Sequence, residues 1–239
     1  MSLTNQRVIV FGGTSGIGLA TAKALVDEGA NVVIASRQRE KVARALEIIE
    51  RNVTGEVVDA TSAEQVRDFF QRVGPFDHLV ITLSSSLGVG ELRILDMAML
   101  HQAFEGKFWA HLTVAQASLD TLRLDGSLTL VTAGSARGSV PGASGLGAIN
   151  GALEAVIPSW AAELQPLRVN AVSPGIIATP WWDVVPKEQR EALWAQNAAQ
   201  LPVKRVGQPE DVAQTILFLI KNTFITGEII ACDGGAHIK

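Results

Sequence analysis

The chain has 239 residues, 47% of them hydrophobic and 18% charged, which suits one domain with a sizeable core. A net charge of -4 with scattered basic residues excludes the basic face that nucleic-acid binding needs. The single cysteine, Cys232, excludes an internal disulfide framework and a cysteine metal cluster. With no basic leader, cleavage site or bilayer-length apolar run, the expected setting is the cytoplasm, with no membrane partner.

Short β-branched runs alternate with helical patterns from the start of the chain. RVIVF reads as a buried strand, and GIGLATAKALVDEG as a helix ended by Gly29. NVVIAS is a second strand, and REKVARALEIIE an amphipathic helix. GEVVDA, HLVITL and SLTLVTA are further strands, each followed by helical sequence; LRVNAVSP and GEIIACDGG come late. Short apolar runs between helices describe a parallel sheet covered on both faces. The fold class is therefore α/β, a doubly wound Rossmann-type domain spanning residues 1–239. A helix is predicted over about 143–164, where Pro158 is expected to cost roughly 3 kcal/mol and bend it near Ile157.

The stretch FGGTSGIG joins the first strand to the first helix and spaces Gly12, Gly16 and Gly18 as G-x-x-x-G-x-G, with Thr14, Ser15 and Ile17 between them. Glycines there permit a tight turn and let the backbone approach a pyrophosphate, while the helix N-terminus offers free N–H groups. The pattern points to dinucleotide binding; the alternative is a plain strand–helix turn. The second strand ends in IASRQRE, so Ser36 and Arg37 stand where an acidic residue would hold the ribose of NAD(H). Arg37 suits a 2′-phosphate, which favours NADP(H) over NAD(H). A solvated Arg37, or one stacked on the adenine, would make no such choice.

GGTSGIG, VVDAT, LRVNAVSPGIIATP, LPVKRVGQPEDVAQTILFL and TGEIIACDGG, in this order, resemble the short-chain dehydrogenase/reductase family over essentially the whole chain. The crossover rule and this resemblance together imply a seven-stranded parallel sheet of order 3-2-1-4-5-6-7. The resemblance also implies a homodimer or homotetramer and hydride transfer to a small-molecule substrate. It places Asp59 and Ala60 at the adenine and Thr82 and Leu83 after the fourth strand. Pro174, Gly175, Ile177 and Thr179 fall under the nicotinamide.

The family's catalytic set is Asn, Ser and Tyr-x-x-x-Lys, and this chain contains no tyrosine. Aligning VPGASGLGAINGALEA through its flanks puts Leu146 at the tyrosine and Asn150 at the lysine, with Ala133 at the serine. FEGKFWAHLTVAQA puts Lys107 at the asparagine. Leu146 transfers no proton, and Ala133 stabilises no alkoxide-like oxygen. Removing a general acid costs typically ~10²–10⁴-fold, so the inherited mechanism does not run here.

Replacement chemistry has three candidates. The Lys107 ammonium would donate a proton, unless it reaches solvent or pairs with Glu105 or Glu154. The Ser135 hydroxyl would turn inward, unless it is an ordinary loop serine. Asn150 would bond the ribose hydroxyls without bringing a charge. His101 and His111 share the predicted helix of Lys107 and read as structural. No metal-ligand spacing stands out. TPWWDVVPKEQREALWAQ occupies the place of the family's substrate lid, at about 180–200. There Trp181, Trp182 and Trp194 would offer an aromatic surface to a small apolar substrate, or pack on their own domain or a neighbouring subunit. Two functions fit. One is an NADP(H)-dependent oxidoreductase of a small apolar carbonyl or alcohol, with Lys107 or water as proton donor. The other is an NADP(H)-binding sensor or partner subunit without turnover. The intact lid and nicotinamide segment favour the first.

Overall fold

The computed structural model describes residues 2–238. Strand β1 (Arg7–Phe11) shows how the layers form. Side chains alternate across a strand, so Ile9 and Phe11 enter one core and Val8 and Val10 the other. The same alternation holds in β4 (Phe76–Ile81), where Leu79 and Ile81 face the first core and Val80 the second. Both faces are therefore apolar, and both are covered.

The remaining strands are β2 (Asn31–Ser36), β3 (Val53–Val57), β5 (Leu122–Val131), β6 (Arg168–Pro174) and β7 (Ile229–Cys232). They form one seven-stranded sheet in the order β3-β2-β1-β4-β5-β6-β7, with every neighbouring pair parallel. Helices α1 (Gly16–Asp27), α2 (Arg39–Ile49) and α8 (Pro209–Lys221) pack on one face. Helices α3 (Ala63–Val73), α5 (Ala110–Ser118) and α6 (Ser144–Glu163) pack on the other. α4 (Met97–Phe104) runs into α5, and α7 (Lys187–Gln200) follows a short 3₁₀ turn at Pro180–Val184.

The order reverses between β1 and β4, so the loops leaving their C-terminal ends part and open a crevice. No helix among the described residues is long and apolar enough to cross a membrane.

Three local features depart from, or add to, the pattern read in the sequence. β3 spans Val53–Val57 rather than GEVVDA, because its partner, β2, ends at Ser36, opposite Val57. That leaves Val58–Ala60 as the loop beside the crevice. α6 stays helical through Pro158, which lies on its exposed side. Between α4 and α5 the backbone makes one π turn at Glu105–Trp109. This turn directs Lys107 inward while Glu105 and Trp109 stay exposed; π turns of this kind insert one residue and re-aim side chains, often at functional sites.

Candidate functional site

At the crevice, Gly12 has φ +84°, and a Cβ there would lie 2.6 Å from Thr82 Oγ1. A Cβ on Gly18 would collide with the Gly12 carbonyl oxygen. Glycine at both positions lets the loop fold flat against the ends of β1 and β4. Ser15 precedes α1, but its hydroxyl makes no cap bond, and no acidic residue occupies the first turn. The positive end of α1 is thus unopposed, which suits an anion. Thr14 is half-buried in the loop, and Ile17 packs against the core below it. Thr82 donates through its N–H and its Oγ1 to the Phe11 carbonyl, at 2.8 and 2.9 Å. Leu83 packs on the first core.

On one side of this loop, Ser36 and Arg37 end β2. Arg37 is exposed and forms no ion pair among the described residues. Across from it, Asp59 Oδ1 accepts the Thr61 N–H at 3.0 Å and the Thr61 hydroxyl at 2.8 Å. The backbone bond from Thr61 chiefly holds this carboxyl below its ordinary range, helped by the Thr61 hydroxyl and the Arg37 charge. Ala60, next to it, is buried. On the other side, Thr179 meets the nucleotide loop, 3.2 Å from where a Cβ on Gly16 would stand. Ile177 is buried, and Gly175 lies against Asp233 so closely that a Cβ would sit 2.8 Å from its Cα.

Ser135 lies in a single 3₁₀ turn (Gly134–Ala136) that follows Ala133. Asn150 Nδ2 donates to Ser135 Oγ at 3.1 Å and to the Leu146 carbonyl at 2.8 Å. Both amide hydrogens are thereby used, and Asn150 Oδ1 is a buried acceptor without a partner among the described residues. Ser135 accepts in this pair, so its own O–H remains free to donate. The turn is wedged tightly. A Cβ on Gly134 would stand 3.3 Å from the Pro174 carbonyl, and one on Gly147 2.9 Å from the Ser135 carbonyl. Ser135 therefore lies between the segment after β6 and the first turns of α6. Leu146, one turn before Asn150, is half-buried.

Lys107 is buried, and its Nζ donates to the Thr132 carbonyl at 3.4 Å. Burial alone pushes its ammonium down to about 8. It forms no ion pair with Glu105 or Glu154. Glu154 is held instead by Arg137, whose Nε donates to Oε2 at 3.0 Å. His111 Nδ1 donates to the Lys107 carbonyl at 2.7 Å. Burial, then the nearby Lys107 charge, pushes that imidazole down to about 3, so it is neutral at ordinary pH. His101 is exposed.

The tryptophans separate into two groups. Trp181 Nε1 donates to the Ser85 carbonyl at 3.1 Å, so the segment after β6 is pinned to the loop after β4. Trp182 Nε1 donates to the Ile177 carbonyl at 3.0 Å, and the two rings meet edge to face at 4.9 Å. Trp194 sits apart on α7 under the Arg190 guanidinium, 5.4 Å from the ring centre, while Arg190 pairs with Asp183. The structure thus brings Trp181 and Trp182 to the crevice and packs Trp194 within its own segment.

Sequence reasoning did not single out Thr132, Arg137 or Ser173, and gave Glu154 only as a partner for Lys107. It also passed over Gly134 and Gly147. The glycines were visible in AGS and GLG, but their necessity depends on which backbone lies opposite.

A family model described as "Enoyl-(Acyl carrier protein) reductase" matches residues 12–237. A short-chain dehydrogenase/reductase of Gibberella fujikuroi is 30% identical over 256 residues, covering 99% of this chain and 96% of that protein. The chain belongs to the short-chain dehydrogenase/reductase family. Among other family members, the 3-oxoacyl-[acyl-carrier-protein] reductase FabG of Thermotoga maritima is 28% identical over 252 residues, with 100% of each chain covered. A solved small-chain dehydrogenase in complex with NADPH superposes with a TM-score of 0.88 at 34% identity, covering 98% of this chain and 100% of that one.

Proposed function

We propose that this chain is an NADP(H)-dependent oxidoreductase that interconverts a small apolar carbonyl compound and its alcohol. The observation that carries this reading is the Ser135–Asn150 bond, formed where the turn after β5, the segment after β6 and α6 converge. It leaves the Ser135 O–H free to donate to a ligand, and Asn150 Oδ1 a buried acceptor without a partner among the described residues. The NADPH complex of a related dehydrogenase and the carbonyl-reducing name of the Thermotoga relative support the cofactor and the substrate class.

The nicotinamide, when bound, supplies or accepts the hydride. The chain's own residues do the rest. The Gly12–Gly18 loop and the start of α1 hold the pyrophosphate, with Thr14 and Ser15 at its rim. Ser36 and Arg37 take the 2′-phosphate, and Asp59 with Ala60 the adenine. Asn150 would take the part of the family's ribose-binding lysine when the cofactor is bound, without bringing a charge. Thr82 and Leu83 line one wall of the crevice, and Pro174, Gly175, Ile177 and Thr179 the other. Ser135 donates to the substrate oxygen, replacing the hydroxyl lost at Ala133. The Lys107 ammonium, or water beside it, delivers the proton. Trp181 and Trp182 cover the substrate with aromatic surface, and residues 180–200 act as its lid within a single domain.

Two measurements test this. Small aldehydes, ketones and dicarbonyls are offered while NADPH absorbance is followed; at least one is expected to be turned over. No turnover across the panel, together with tight NADPH binding, overturns the enzyme in favour of a sensor or partner subunit. Calorimetry should show NADPH binding more tightly than NADH, and Arg37→Ala should erase most of the difference. A charge-assisted bond to a phosphate is worth about 1.5–3 kcal/mol, roughly 10- to 150-fold in affinity. Equal affinities in the parent would remove the role given to Arg37.

A further inference from the structure

We infer that Glu154, on α6, is the positioning residue of this site, setting where the Ser135 hydroxyl and the Lys107 ammonium stand. The inference rests on the roles proposed above for those two groups.

The Glu154 side chain is only 10% exposed, yet it binds both ends of the turn that carries Ser135. On the near side of Ser135, the Thr132 hydroxyl donates to Glu154 Oε1 at 3.0 Å. On the far side, Arg137 donates through Nε to Oε2 at 3.0 Å and through Nη2 to Oε1 at 3.3 Å. A third element joins at the same oxygen, where the Ser173 hydroxyl donates to Oε1 at 2.8 Å. Ser173 directly precedes Pro174, whose carbonyl lies against Gly134. One carboxylate therefore ties the end of β5, the turn beyond it and the end of β6 to α6.

Thr132 gives the carboxylate a second line of action. Its hydroxyl is held by Glu154 while its carbonyl takes the Lys107 ammonium. Moving Thr132 moves the one hydrogen-bond acceptor that Lys107 has among the described residues. Asn150, one helical turn before Glu154, holds Ser135 from the same helix. Glu154 itself reaches no ligand. It acts through the Thr132, Ser173 and Arg137 side chains, and so fixes the distance between a proton donor and a hydrogen-bond donor. An error of about 1 Å in such a distance costs on the order of 10²-fold in rate.

The test uses Glu154→Gln and Thr132→Val, with thermal unfolding as the check that each variant folds. Thr132→Val keeps the carboxylate and its bonds to Arg137 and Ser173, so it separates positioning through Thr132 from the charge of Glu154. For any substrate the parent turns over, both variants should lower kcat by roughly 10-fold while KM and the NADPH dissociation constant move less than about 3-fold. The nicotinamide fluorescence of bound NADPH should fall in both variants, because the segment after β6 loses its register. Crystal structures of the two variants give a readout that needs no substrate, with the Ser135–Asn150 and Lys107–Thr132 bonds expected to lengthen or break. Retention of both bonds in both variants overturns the inference, whether or not the parent kcat is kept. A parent that turns over nothing defeats the functional reading instead, and the variant structures then still decide what Glu154 positions.

Discussion

Lys107→Met is expected to stabilise the fold and to slow turnover by at least about 10²-fold. The two effects share one cause. Burial lowers the ammonium from 10.5 to about 8, and at about 1.36 kcal/mol per pH unit this is a cost of roughly 3 kcal/mol to the folded state. Below pH 8 both folded and unfolded chains carry the charge, so the cost is present in full. Between pH 8 and 10.5 the unfolded chain binds more protons than the folded one, and the parent gains stability as pH rises. Methionine fills similar space without a charge. The variant should therefore unfold roughly 5–10 °C higher at neutral pH, and its advantage should shrink across that alkaline window. Turnover supplies the second readout. If the ammonium protonates the product oxygen, the parent's rate of carbonyl reduction falls as pH rises through about 8, and Lys107→Met loses both the rate and this limb. A variant that keeps the parent's rate and its alkaline limb would assign the proton to water.

The fold was legible because its signals are local. Ile9, Phe11, Val8 and Val10 announce a two-faced strand by alternation alone, and Gly12, Gly16 and Gly18 sit at the junction that needs them. The sheet order needed more, namely the handedness of the crossovers and the resemblance to a family. At the site, losses were easier to read than replacements. Leu146 and Ala133, set by the resemblance where a tyrosine and a serine are expected, read at once as a missing proton donor and a missing hydroxyl. That Ser135 turns toward Asn150 was not readable, because the approach depends on Gly147 facing the Ser135 carbonyl and Gly134 facing Pro174. The burial of Lys107 depends on a π turn for which the bare sequence EGKFW has no clear signature. Glu154 was visible only as a possible partner for Lys107. Arg137, adjacent to it in the fold and distant in sequence, claims it instead.

Restoring the family's machinery gives the largest gain expected of any variant. Ala133→Ser, Leu146→Tyr and Asn150→Lys together return a hydroxyl donor, a proton donor and the cation that tunes it. The structure adds a fourth change. α6, which carries Asn150, packs against the π turn that carries Lys107, so a lysine at 150 is expected to bring a second ammonium toward one that is already buried. Like charges in a desolvated space disfavour both charged forms, and Lys107→Asn relieves the conflict with the residue that the resemblance expects there. The quadruple variant should reduce a reactive dicarbonyl at least about 10-fold faster than the parent, since a positioned general acid is typically worth 10²–10⁴ and a graft recovers part of it. The comparison belongs at saturating NADPH, so that altered cofactor affinity is not taken for chemistry. The triple variant that keeps Lys107 should lag behind the quadruple one, and its lysine pair should titrate well below the ordinary lysine range. Equal rates for triple and quadruple variants would mean that Lys107 and position 150 do not share one space. The ammonium would then stand outside the reacting centre, and its burial would have to be explained by packing alone.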